Sequence, residues 1–141
     1  MSDLERALRH AAVLTFEQLA FALPLDGAAE PAGPTAAREV GFAGPFGGRV
    51  VVTVERAMLP VLAANMLGVD EPPPPAEQED ALGEVTNVLA GHLLPAIAGV
   101  EHVFTLTAPR PVGQGGAPSA RACVALDLGR VAVDYYREGA S

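Results

Sequence analysis

The segment REVGFAGPFGGRVVVTVE, residues 38–55, decides the fold class. Its residues alternate in polarity around a glycine–proline turn, a pattern typical of a β-hairpin. The second half of the segment contains VVVTV, and this concentration of β-branched residues predicts a well-buried strand. The middle of the chain is therefore expected to form two antiparallel strands.

Helix-like and strand-like segments flank this hairpin. Apolar residues recur at helical spacing in three segments, residues 4–23, 56–68 and 79–95. Strand-like patterns occur in three more, residues 102–109, 120–128 and 130–136. The expected architecture is α+β, with long helices packed on a mainly antiparallel sheet. At 141 residues the chain has the size of one ordinary domain, so a single domain over residues 1–141 is expected.

The connections between these segments are rich in proline and glycine. DEPPPPAEQ, residues 70–78, is expected to be an extended, exposed connector because proline lacks a backbone donor and restricts the residue before it. The glycine clusters GPFGG, residues 44–48, and GQGG, residues 113–116, join strands to strands. Phosphate-binding glycine loops instead open a helix, so both clusters are interpreted as hairpin turns.

Two strands begin alike, with GRVVVTV from Gly48 and GRVAVDY from Gly129. Each half of the chain is thus a helix followed by strands that include a Gly-Arg-Val-x-Val segment, which suggests an internal duplication and a pseudo-repeat in the fold. Tight hairpins favour glycine and buried strands favour valine in any case, so chance similarity is an equally good explanation.

Charge and composition exclude several classes of protein. A formal net charge of −8 opposes binding to the phosphate backbone of nucleic acids. All nine basic residues are arginine, so no lysine is present for a Schiff base or a phosphate loop. The apolar stretch VLAGHLLPAIAGV is too short to span a membrane, and the charged N-terminus does not resemble an export signal. A soluble, cytoplasmic protein is expected.

The residue types of common catalytic and metal sites are scattered. The three histidines have no i, i+4 spacing and the chain has one cysteine, so no metal site or cofactor of its own is expected. The three serines show no nucleophile pattern. Cys123 lies in a strand-like run and is interpreted as a small buried residue rather than a reactive thiol. His92 is interpreted as a hydrogen-bonded core residue.

One polar stripe remains unexplained in the otherwise apolar helix EDALGEVTNVLAGHLLP, residues 79–95. Asp80, Glu84, Asn87 and Gly91 follow one another at one-turn intervals, so they project from the same side of the helix. A plain solvent-facing side would explain the acids. Asn87, Gly83 and Gly91 are poor choices for such a side, because each glycine costs about 1 kcal/mol relative to alanine. The stripe therefore predicts close approach by another protein group.

EDALGEVTNVLAG resembles the signature of the CheC and CheX chemotaxis phosphatases, in which an acid or serine precedes Glu-x-x-Asn on an exposed helix. EVGFAGPFGGRVVVTV, NMLG and TAPRP are similar to the same family, so the resemblance extends from about Arg38 to Pro111. The first predicted helix has no asparagine three residues after Glu17, and a single signature indicates the CheX branch. His92 departs from the asparagine that commonly follows the glycine in CheX proteins.

The resemblance implies hydrolysis of the aspartyl phosphate of a CheY-type response regulator. Asn87 would position the attacking water and Glu84 would pair with the regulator's active-site lysine, whereas Asp80, Gly83 and Gly91 would contact the partner. Mg²⁺ would be supplied by the regulator. The resemblance also implies a homodimer formed through sheet edges. The alternative is a non-catalytic adaptor of the chemotaxis or flagellar-switch type that uses the same helix face.

Overall fold

The computed structural model describes residues 1–113 and 115–138, and Gln114 of the predicted glycine-rich turn lies outside them. Three helices and five strands follow one another in the described residues. They are α1 (Asp3–Ala20), β1 (Thr35–Ala43), β2 (Gly47–Glu55), α2 (Leu59–Leu67) after a 3-10 turn (Arg56–Met58), α3 (Pro75–Ala98), β3 (Thr105–Leu106), β4 (Ala120–Leu126) and β5 (Gly129–Glu138).

The strands form one antiparallel sheet in the order β3-β1-β2-β5-β4. The α+β prediction is therefore confirmed, as is the hairpin of residues 38–55, whose strands pair from Thr35 with Glu55 to Phe42 with Gly48. Because β3 and β4 lie at opposite edges of the sheet, the interpretation of the glycine cluster between them as a hairpin turn was wrong. The two Gly-Arg-Val segments lie on neighbouring central strands, with Val54 paired to Val131. The strands β2 and β5, one from each helix-plus-hairpin unit, thus lie side by side in the sheet.

The helices cover one face of the sheet. Alternate residues of each strand point toward them, as strand geometry requires, and form the core with the apolar sides of α1 and α3. The strand residues in this core include Val40, Val50, Val52, Val133 and Val124, all with no exposed surface. By length and composition α3 could cross a membrane, but half of its apolar window is buried in this fold.

The opposite face of the sheet carries charged pairs. Glu39, with 4% of its surface exposed, pairs with Arg110 at 2.8 Å and with Arg49 at 3.5 Å. Asp134, 6% exposed, pairs with Arg121 at 2.6 Å. Buried carboxylates need such partners because an isolated charge is costly to desolvate. The Arg110 pair holds the segment after β3 against β1, whereas the other two pairs join strands of the sheet.

Two boundary predictions were wrong. The helix expected at residues 79–95 begins at Pro75, because the first helical position needs no backbone donor and suits the fixed φ of proline. The strand expected at residues 102–109 is regular only at Thr105 and Leu106. Beyond them the chain follows β1 irregularly, reaching a single bridge between Arg110 and Glu39.

Cys123 is half-buried rather than fully buried, a partial correction of the sequence interpretation. Its Sγ donates to Glu30 Oε2 at 3.0 Å. Burial, followed by the neighbouring Glu30 carboxylate, raises the pKa of the thiol to about 11. The thiol therefore stays protonated at neutral pH, which is the opposite of what a reactive cysteine requires.

Candidate functional site

The orientation of α3 is set by its buried side and by one ion-pair cluster. Leu82, Val85 and Leu89 have no exposed surface and pack in the core. Glu79, near the start of the helix, pairs with Arg38 of β1 at 2.8 Å and with Arg56 at 3.1 Å. These contacts fix the rotation of the helix about its axis, so the polar stripe is directed away from the sheet.

The stripe lies on the outer surface of the molecule. Asp80, Glu84 and Gly91 are exposed, and Asn87 is half-buried. Among residues 1–113 and 115–138, neither the Glu84 carboxylate nor the Asn87 amide has a hydrogen-bond or ion-pair partner. An amide and a carboxylate one turn apart are thus free to bind groups from outside the chain.

Gly83 and Gly91 have different environments. A Cβ atom at Gly83 would lie 2.9 Å from Pro109 Cβ, too close for a real contact, whereas one at Gly91 would meet nothing within 4 Å. Gly83 is buried. The glycine at position 83 is therefore explained by Pro109 of the same chain, and we leave Gly83 out of the partner-binding surface. Gly91 remains open to solvent and is available to a partner.

The segment that contains Pro109 is held firmly against β1. Thr107 N donates to Gly41 O at 2.9 Å and Gly41 N donates to Thr107 Oγ1 at the same distance. Arg110 N in turn donates to Glu39 O at 2.9 Å. TAPRP thus forms a fixed support behind α3. Sequence reasoning used this segment only as part of a resemblance and did not predict its contact with Gly83.

The interpretation of His92 as a core residue was wrong. Its ring is half-buried and lies at the surface, with Nε2 3.1 Å from Gln18 Oε1 of α1. Position 92 projects toward the neighbouring helix rather than toward the sheet, a difference that helical periodicity alone did not resolve. His92 therefore links the far end of the stripe to α1.

A groove runs along the other side of the stripe. Its volume is about 360 Å³, and its lining consists of Met66, Leu67, Glu77, Asp80, Ala81 and Glu84. The contribution of α2 to this groove was not predicted from the sequence, where residues 56–68 were identified only as a short helix. The signal was NMLG, where apolar residues directly precede the Gly68 that ends the helix.

The described residues contain no group of three or more histidine, cysteine, aspartate or glutamate side chains that could hold a metal ion. The acids of the stripe are strung along one helix rather than directed at one point. What the arrangement offers is a protruding carboxylate and amide beside a partly apolar groove, which suits insertion into a pocket of another molecule.

Comparisons with known proteins agree with this architecture. A chain of Desulfovibrio vulgaris Hildenborough assigned to chemotaxis is 22% identical, with a TM-score of 0.75 and 97% of both chains covered. CheX of Desulfovibrio desulfuricans is 20% identical, with a TM-score of 0.74, covering 97% of this chain and 100% of that chain. A chain of the CheX–CheY–BeF₃–Mg²⁺ complex of Borrelia burgdorferi is 16% identical, with a TM-score of 0.64, covering 95% and 97%.

Sequence comparison with curated proteins finds no match. A family model described as chemotaxis phosphatase CheX matches residues 38–127. This range includes all but the first three residues of the first hairpin, and all of α2, α3, β3 and β4. Since the match covers well over half of the sequence, the chain belongs to the CheX family of chemotaxis phosphatases.

Proposed function

We propose that this protein accelerates hydrolysis of the aspartyl phosphate of a CheY-type response regulator. The observation that carries the proposal is the pairing of Glu84 and Asn87 on the outer surface of α3, with neither side chain engaged by another described residue. Membership of the CheX family and the CheX–CheY complex of a relative support the same partner.

The reaction needs little more than a well-placed water. An aspartyl phosphate is an activated acyl phosphate, and water attacks phosphorus while the bond to the aspartyl oxygen breaks, which releases phosphate and restores the carboxylate. The Asn87 amide accepts a hydrogen bond from this water and aligns it. The Glu84 carboxylate pairs with the regulator's active-site lysine. Mg²⁺ belongs to the regulator, and no cofactor is bound by this chain.

The remaining contacts follow from the position of each residue. Asp80 is a peripheral polar contact one turn before Glu84, and Gly91 lets the partner approach the helix surface. The functional unit is one domain over residues 1–141 in the cytoplasm, and it assembles as a homodimer through sheet edges. A free edge of this kind has unpaired backbone groups that a second copy can satisfy.

The decay rate of a phosphorylated CheY-type receiver domain, with and without the protein, tests the proposal. The wild type should accelerate decay, whereas Asn87→Ala should lose about 10²-fold or more of this effect, the usual consequence of losing a positioned hydrogen-bonding group in a reaction centre. Its unfolding free energy should change by less than about 0.5 kcal/mol. If Asn87→Ala is as active as the wild type, the adaptor alternative is the better description.

A further inference from the structure

Exposed apolar side chains concentrate in two segments of the chain, one after α1 and one in and after α2. Of the ten large apolar side chains that are exposed in the described part of the chain, six lie in residues 21–25 and 61–69. Asn65 Nδ2 donates to Ala20 O at 2.9 Å, which joins the end of α1 to the end of α2. Phe21 and Leu67, at these two helix ends, therefore lie near each other, whereas Leu23 and Leu25 run beside β4. Such concentrations on a protein surface mark interaction sites.

Phe21 occupies an unfavourable backbone conformation at this position. It ends α1 with φ 58 and ψ 23, and no other non-glycine residue of the described chain has a positive φ. Glycine or asparagine usually fills this cap, because a bulky side chain is strained there. The Phe21 side chain does not gain burial in return, since 73% of the residue is exposed. Fold stability thus gives no reason for a phenylalanine at this point.

The end of α1 and the end of α2 both adjoin the proposed catalytic surface. Leu67, 56% exposed, lines the same groove as Asp80 and Glu84. On the other side of the stripe, Gln18, one turn before Phe21, contacts His92. The stripe is therefore bordered by the ends of α1 and α2. A partner bound to Glu84 thus lies next to the end of α2.

The helices beside this surface carry an excess of acidic residues. Residues 59–98 contain six acidic residues and no arginine or lysine. Glu79 is neutralised by Arg38 and Arg56. Within the described residues the other five acids have no ion-pair partner, namely Asp70, Glu71, Glu77, Asp80 and Glu84. A surface of this sign is complementary to a cationic partner.

We infer that Phe21 and Leu67, together with the acidic groove beside them, form the docking surface for the receiver domain. This surface selects receivers that present an apolar socket next to a lysine or arginine side chain. The inference rests on the proposed function for the identity of the partner. Phe21 acts as an anchor of the kind that dominates protein interfaces, because an exposed aromatic ring gains a large buried area on binding.

The substitution Phe21→Asn tests the docking surface without destabilising the fold. Asparagine tolerates the left-handed conformation, so the melting temperature should stay the same or rise. The dissociation constant for a CheY-type receiver of the same genome, trapped with beryllofluoride and Mg²⁺, should increase at least tenfold. The KM for the phosphorylated receiver should increase in parallel, with kcat unchanged. Val100→Asn is the matched control, since Val100 is 88% exposed beyond the other end of α3 and its replacement should leave both constants unchanged.

The other outcomes of this experiment distinguish a failure of the docking surface from a failure of the proposed function. An unchanged dissociation constant for Phe21→Asn, with turnover by the wild type intact, overturns the docking surface and leaves the proposed function standing. If the wild type binds the receiver tightly but has no phosphatase activity, and Phe21→Asn weakens this binding, the proposed function is wrong and the docking surface is supported. If Phe21→Asn instead alters only the self-association of the protein in sedimentation experiments, the surface joins copies of this chain and the inference is wrong. A wild type that binds no receiver overturns both.

Discussion

Glu84 and Asn87 lie one turn apart, but their removal should have different consequences. Glu84→Ala should weaken binding of the phosphorylated receiver by roughly 2 to 5 kcal/mol, because truncating one member of a desolvated charge pair leaves the other charge unpaired. Turnover should fall with it. Asn87→Ala, in contrast, should affect turnover far more than binding. Titration of each variant with the beryllofluoride-trapped receiver distinguishes the two roles, and equal losses of affinity would contradict them.

Gly83 and Gly91 form a matched pair on one helix. Gly83→Ala should destabilise the fold by about 1 to 3 kcal/mol, because the new Cβ lies 2.9 Å from Pro109 Cβ and the Pro109 segment is held by β1. Gly91→Ala should stabilise it by about 0.5 to 1 kcal/mol, since open space surrounds this position and alanine favours the helix. Urea denaturation measures both. A destabilising Gly91→Ala would show that position 91 is not surrounded by open space.

The burial or exposure of single residues was predicted well where residue type and helical spacing alone determine it. Leu82, Val85 and Leu89 are buried and Glu84 is exposed, as the helical pattern requires. His92 could not be placed this way, because the neighbour it meets belongs to α1, a contact between residues 74 positions apart. The packing of Pro109 against Gly83 is also a tertiary contact.

At the scale of elements, the loop between α1 and β1 depends on carboxylates. Glu30 accepts hydrogen bonds from Arg121 and Cys123 of β4, which lower its pKa from 4.5 to about 2. Glu55 accepts from Ala32 N at 2.9 Å. Both carboxylates bind these partners more strongly when ionised than when protonated, so the attachment of this loop to the sheet is sensitive to acid.

This attachment gives a prediction for the dependence of stability on pH. Because the folded pKa of Glu30 lies below its ordinary value, its contribution is complete above about pH 4.5 and disappears as the pH falls toward 2. The difference in unfolding midpoint between the wild type and Glu30→Gln should therefore be positive at pH 6 and vanish near pH 2. A difference that stays constant over this range would show that the Glu30 carboxylate does not anchor the loop through its charge.

Elements long enough to show a repeating polarity pattern could be predicted from the sequence, whereas short or irregular elements could not. The hairpin of residues 38–55 and the strands near the C-terminus have enough alternating positions to define their face. β3 has two residues, because Pro109 cannot donate to a ladder and the chain bends toward α3 at this point. The start of α3 was misplaced since four prolines were treated as one extended connector.

At the scale of the whole molecule, the sheet order places two helix-plus-hairpin units side by side, but their helices are not equivalent. α3 carries the Glu-x-x-Asn signature and α1 does not. The end of α1 instead presents Phe21 and contacts the far end of the stripe through Gln18. Under the proposed function, one unit supplies the reacting side chains and the other supplies a docking anchor. This division could not be seen in the sequence, because it depends on how α1 and α2 meet beside α3.

The charge of the molecule provides the last prediction. The net charge is −8, and residues 59–98 contain no arginine or lysine, so a cationic receiver face is attracted over a distance that salt limits to about 10 Å at 0.1 M. We therefore expect kcat/KM for the phosphorylated receiver to fall steeply with added salt, while kcat stays constant. Asp80→Asn should reduce this salt dependence because Asp80 lines the groove.

Asp26→Asn removes the same charge from an exposed position in the loop after α1, and it is the matched control. If net charge alone attracted the receiver, the two variants would have the same effect on the salt dependence. If the acidic groove is the element that the receiver meets, Asp80→Asn should have the larger effect, since the interaction between charges decays with distance. Equal effects, measured by stopped-flow dephosphorylation over a range of salt concentrations, would contradict local steering by the groove.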